Sequence, residues 1–134
     1  ARHAQGQENM ILVDTDVLIW VLRGQESWIK EFEKMVGDAR GNIFITPVQI
    51  AEIYAGLRPK EVQKVEDFLA SLRSVDLDDE MGKIAGGYIN KYGKSHSVTM
   101  ADALIAATAS TKNLKLWTSN KKHYPMLDAD NFYD

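Results

Sequence analysis

The chain has 134 residues, a net charge of −3, 45% apolar and 26% charged residues and no cysteine, the balance of one globular domain with its own core. The missing cysteine excludes disulfides, thiolate metal sites and thiol nucleophiles, and fits a reducing cytoplasm. No apolar run approaches the roughly 20 residues of a membrane span, so no membrane partner is expected.

Residues 1–9 are polar and lack the apolar centre of a signal peptide, so they read as a disordered leader or an expression remnant, with the domain at 10–134. Met10–Asp14 is an apolar run closed by a carboxylate, which suits a buried parallel strand. Thr15–Arg23 reads as a buried helix closed by Gly24, and Ser27–Val36 as a second helix closed by Gly37. Asn42–Ile45 is a strand. Thr46-Pro47 then opens a helix to Leu57, with a hydroxyl cap, a proline at the first helical position and Gln49 as the reciprocal capping partner. Pro59–Arg73 is helical, Ser74–Leu77 a short strand, and Asp78–Tyr92 a helix ended by Gly93. Thr99–Thr111 is an alanine-rich helix, Leu114–Trp117 a strand, and 119–134 a loop with a last short strand near Phe132. This alternation predicts an α/β fold with a mainly parallel sheet.

Sites in open α/β sheets form at the carboxyl ends of strands. Asp14 lies at such an end and Asp16 follows two residues later. Either aspartate could instead cap the next helix. Glu52 sits among Ile50, Ile53 and Ala55, with the capping work already done by Thr46 and Gln49, so it is either on a wet stripe or held inward. Asp102 opens a helix that is small and apolar nearly all round; Thr99 to Asp102 also resembles a capping box. The strand end Trp117-Thr118-Ser119-Asn120 adds further polar groups. Three carboxylates and an amide, with no His/Cys cluster, form a hard-oxygen set suited to Mg²⁺ or Mn²⁺ and to phosphoryl chemistry.

Val13-Asp14-Thr15-Asp16, Ala51-Glu52-Ile53-Tyr54-Ala55-Gly56-Leu57, Ala101-Asp102-Ala103-Leu104-Ile105-Ala106 and Trp117-Thr118-Ser119-Asn120 together resemble the four motif blocks of PIN-domain ribonucleases of the VapC-like toxin type. The resemblance spans residues 10 to about 133. It implies a PIN-like three-layer α/β/α sandwich, with Asp14, Glu52, Asp102 and Asn120 as catalytic residues and Asp14 and Asp102 on the metal. It also implies RNA as substrate, a cognate antitoxin peptide and a homodimer. Asn120 departs from the fullest pattern, which carries a fourth acid there, and this bears on whether one metal or two would bind. Asp16 and Thr118 take secondary roles.

The charge is uneven: residues 1–80 balance to −6 and residues 81–134 to +3. Lys94, Lys112, Lys115, Lys121 and Lys122 fall in the basic part, and Lys121 and Lys122 are candidates for RNA phosphates. His96 and His123 read as solvated loop residues. Two other readings are a catalytically inactive PIN fold kept for RNA or protein contact, and a haloacid-dehalogenase-type phosphatase suggested by Asp14-Thr15-Asp16. Leu18 and the lack of a late acidic pair count against the latter.

Overall fold

The apolar run Ile11–Val13 folds as strand β1 with all three side chains buried. The structure, a computed structural model, describes residues 10–134, so the reading of 1–9 lies outside the described residues. After β1 come helices α1 (Thr15–Leu22) and α2 (Glu26–Ala39), strand β2 (Ile43–Ile45), and helices α3 (Pro47–Ala55) and α4 (Val62–Ala70). Strand β3 (Arg73–Ser74), helices α5 (Asp79–His96) and α6 (Met100–Lys112) and strand β4 (Lys115–Trp117) complete the order. The sheet runs β3-β2-β1-β4 and every pairing is parallel.

Alternate β1 side chains serve opposite faces, as pleating requires. Ile11 and Val13 pack with Val17 and Leu18 of α1, Met35 of α2 and Val65 of α4. Leu12 packs with Ile105 and Ala106 of α6 and with Leu116. The alanines let α6 lie close to the sheet, and α5 packs on it through Met81, Ala85, Ala103 and Ala107. The three-layer α/β/α sandwich implied by the sequence is therefore what forms.

Several boundaries differ from expectation. α2 continues through Gly37 and stops where Arg40 and Gly41 take φ of 51° and 81°. α5 continues through Gly93 to His96 and stops at Ser97, φ 53°. A glycine inside a helix costs about 1 kcal/mol, too little to end one that buries an apolar face. Pro59–Glu61 is a 3₁₀ turn, and α4 stops at Ala70. Strand β3 falls on Arg73–Ser74 because these pair with Phe44 and Ile45 of β2, overriding the apolar pattern at 74–77. Near Phe132 there is a single parallel bridge to Leu116 instead of a strand, since Ala129–Asn131 is a 3₁₀ turn.

From β1 the sheet grows one way through β2 and β3 and the other way to β4. The strand order therefore switches sides between β1 and β4, and ligand crevices open at the carboxyl ends of strands at such a point.

Candidate active site

Asp14 is the first residue beyond β1, its backbone N–H bonded to the Trp117 carbonyl of β4 at 2.9 Å. It is only 8% exposed. Its carboxylate also caps α1: Oδ1 accepts from the Thr15 N–H at 2.8 Å. Oδ2 accepts from two hydroxyls, Thr118 Oγ1 and Tyr124 Oη, each at 2.8 Å. So the capping reading of Asp14 holds, and capping engages only one of its two oxygens.

Asp16, half-buried, accepts from the Val17 N–H through Oδ1. Its Oδ2 accepts from both the backbone N–H and the hydroxyl of Ser119. The two aspartates thus tie the start of α1 to the end of β4. Glu52 lies on the exposed side of α3, yet Oε1 accepts from the buried Thr15 hydroxyl at 2.6 Å. α3 is set by the expected capping box of Thr46 and Gln49, and Gln49 also donates to the Val13 carbonyl at 3.0 Å, pinning α3 to β1. Asp102 sits in the first turn of α6, its N–H bonded to Thr99 Oγ1 at 3.2 Å. The Asp102 carboxylate faces His123, with Oδ2 3.9 Å from Nδ1.

Burial, and then the neighbouring charge of Asp16, push the Asp14 carboxyl up from 3.8 to about 6, against the bonds from Tyr124, Thr118 and Thr15. Burial, and then the charge of Asp14, push the Tyr124 phenol far above its ordinary range, with Asp102 and Asp16 adding to the effect. Tyr124 therefore stays a donor and feels all three aspartates. No lysine or arginine pairs with Asp14, Asp16, Glu52 or Asp102 among the described residues.

Among the described residues, no three Asp, Glu or His side chains stand close enough to ligate one ion directly. Mg²⁺ does not require that: it keeps several waters and is commonly held by one or two carboxylates. Asp14 and Asp102 could supply that number of hard donors, and a buried carboxylate with no basic partner is the group a cation relieves. The donor set fits such an ion.

The loop after β4 departs from the sequence reading. Asn120 bonds Thr118 Oγ1 through its N–H at 3.1 Å, and its side chain meets His123 Nε2 at 3.1 Å. His123 is therefore part of the site's rim while remaining solvated, as read, with its side chain 53% exposed. Lys121 is drawn away to the Asp134 carboxylate and lies 5.3 Å from the Phe132 ring centre, while Lys122 remains exposed. His96 is elsewhere, at the end of α5. Sequence reasoning missed Thr15, Ser119 and Tyr124. A buried tyrosine must find a partner for its hydroxyl, so an aromatic just after a polar strand end was the available signal for Tyr124.

Beside the acids lies a groove of about 280 Å³ between α1, α3 and α4, walled by Ile19, Leu22, Ile53, Leu57 and Val65 and reaching Glu52. Arg23 and Arg58 stand along it.

The family model described as PIN domain matches residues 11–126. A curated relative, Ribonuclease VapC10 of Mycobacterium tuberculosis, is 37% identical over 123 residues, 89% of each chain. Among solved structures, a toxin-antitoxin complex from Klebsiella pneumoniae superposes with TM-score 0.73 at 19% identity, covering 92% of this chain and 96% of that one. VapBC2 from Rickettsia felis, bound to a DNA fragment from its promoter, gives TM-score 0.72 at 21% identity over 91% and 94%.

Proposed function

Since the chain belongs to the PIN domain family, we propose that it is a VapC-type toxin, an endoribonuclease using Mg²⁺ or Mn²⁺ and restrained by an antitoxin. The observation that carries this is Asp14: a buried carboxylate at the sheet's switch point, beside Asp16 and bonded to Tyr124, whose phenol also feels the charge of Asp102, with no basic partner among the described residues. Neither the inactive module nor the phosphatase gains a supporting observation.

Asp14 and Asp102 would hold the ion. When bound, it supplies Lewis acidity, neutralising the phosphodiester and making water a better nucleophile near neutral pH. Glu52 commits one oxygen to Thr15 and keeps the other for a proton from the attacking water. The water oxygen bonds to phosphorus, the bond to the leaving ribose oxygen breaks, and that oxygen takes a proton from solvent. Asp16 and Ser119 hold the start of α1 against the end of β4, and Asn120 and His123 would line the rim where RNA enters.

The antitoxin reading rests on the groove. A basic peptide folding along Ile19, Leu22 and Leu57 would carry an arginine to Glu52 and close the site by bidentate pairing. Tyr54, on the same helix as Glu52, is exposed at 41% and lies outside the groove's lining. Pairing with a second copy through another helical face completes the toxin reading. An RNA-cleaving enzyme of this kind would act in the cytoplasm, where its RNA is; separately, no described helix is long and apolar enough to cross a membrane.

Asp102→Asn removes a charge at nearly constant volume. It should lower RNA cleavage by about 10²-fold or more with an unchanged circular dichroism spectrum. Full activity in this variant would refute the assignment. Expression with and without the neighbouring gene product tests the toxin half: equal growth and no co-purification would defeat it while leaving the nuclease half standing.

A further inference from the structure

Tyr124 is only 1% exposed and occupies the core layer between the sheet and α6, among Leu12, Ile105, Ala109 and Leu116. Its hydroxyl leaves that apolar layer at one point and donates to Asp14 Oδ2 at 2.8 Å. A carboxylate offers about four lone-pair positions, two on each oxygen. Both positions on Oδ2 are filled, by Tyr124 and Thr118; on Oδ1 one is filled by the Thr15 N–H. One position remains, and it is on Oδ1.

This count decides how Asp14 can meet a cation. Chelation through both oxygens needs a free position on each, and Oδ2 has none. Mg²⁺, small and octahedral, binds carboxylates through one oxygen and retains water; Ca²⁺ takes more ligands and readily accepts both oxygens of one carboxylate. We propose that Tyr124 is a positioning and selectivity residue, which with Thr118 blocks Asp14 Oδ2 so that the site favours a small octahedral cation over Ca²⁺. The inference rests on the metal-dependent reading above and adds which atom of Asp14 is available and what keeps it so.

Its test uses binding, not cleavage. Mn²⁺, Mg²⁺ and Ca²⁺ are titrated separately by calorimetry into the full chain and into Tyr124→Phe, Thr118→Val and Thr118→Ser. Wild type should bind Mn²⁺ and Mg²⁺ in preference to Ca²⁺. Tyr124→Phe should narrow that preference by about 10-fold, the low end of effects seen on altering groups that hold a metal ligand. Thr118→Val should narrow it likewise. Thr118→Ser, which keeps the hydroxyl, should hold the wild-type ratio. Should Tyr124→Phe fail to fold, the two Thr118 variants carry the comparison. A variant that lost only structure would bind all three ions more weakly with the ratio intact, and that result overturns the proposal. Wild type that binds none of the ions overturns instead the metal reading beneath it.

Discussion

Replacing Asp14 with asparagine should make the metal-free protein more stable near neutral pH. The carboxyl titrates at about 6 in the fold against an ordinary 3.8. Holding the carboxylate charged in that setting costs the fold about 3 kcal/mol. Because the folded value is raised, the sign is the reverse of a salt-bridged aspartate. The favourable contribution is complete below pH about 3.8 and is lost as pH rises through about 6, where the buried charge forms. Asparagine never forms that charge. It keeps the acceptor for the Thr15 N–H, but the Thr118 and Tyr124 hydroxyls must turn to accept, which takes back on the order of 1 kcal/mol. About 2 kcal/mol remains, roughly 6 °C in Tm for a chain of this size. The assay is thermal unfolding of both proteins in chelator from pH about 4 to 8. Asp14→Asn should match or trail wild type at the acid end and exceed it above pH about 6. Mn²⁺ at a hundred times its Kd should then stabilise wild type by about 2.7 kcal/mol and the variant far less, closing the gap. A variant less stable than wild type at neutral pH in chelator would refute the reasoning, because Asp14 would then be a structural acceptor with no uncompensated charge to relieve.

Lys122→Glu should weaken RNA binding and reduce the slope of log K against log salt by about one, whereas Lys121→Glu should do much less, since Lys121 is already paired with Asp134; equal effects would reject that division. Gln49→Ala strips partners from the buried Val13 carbonyl and from the N–H and hydroxyl of Thr46, and should cost about 3 kcal/mol by denaturant unfolding. A loss below about 1 kcal/mol would mean that water replaces the amide there.

The layers were legible because each rests on a local pattern. Ile11–Val13 is uniformly apolar and Thr46-Pro47 with Gln49 is a complete helix start, and both folded as read. Asp14 was legible for a related reason, being the polar group that ends an apolar strand. What failed were features fixed by distant partners. The strand read at 74–77 instead begins at Arg73, which looks like a helix end and joins the sheet only because β2 has an open edge beside it. Lys121 looks free until Asp134 and Phe132 are brought to it. Tyr124 reaches Asp14 across 110 residues, through the parallel pairing of β1 with β4, which no local pattern encodes.

Three of the site's four acids share one placement that explains how the chain tolerates them. Asp14 caps α1, Asp16 lies in its first turn, and Asp102 lies in the first turn of α6. A helix start offers free N–H groups and a positive dipole end, each such position stabilising an anion by about 0.3–1 kcal/mol. That support comes from backbone and hydroxyl donors, not from lysine or arginine. A basic side chain at Asp14 would hold the charge more strongly and would also occupy the place a divalent ion needs. The donors present are too weak to offset burial, so Asp14 titrates at about 6 instead of falling below 3.8. Yet about 6 is still below neutral pH, so most of the carboxylate is ionised there. The balance leaves a charge that is formed, fixed in direction and uncompensated, which is what a cation-binding site requires and what a purely structural helix cap would avoid.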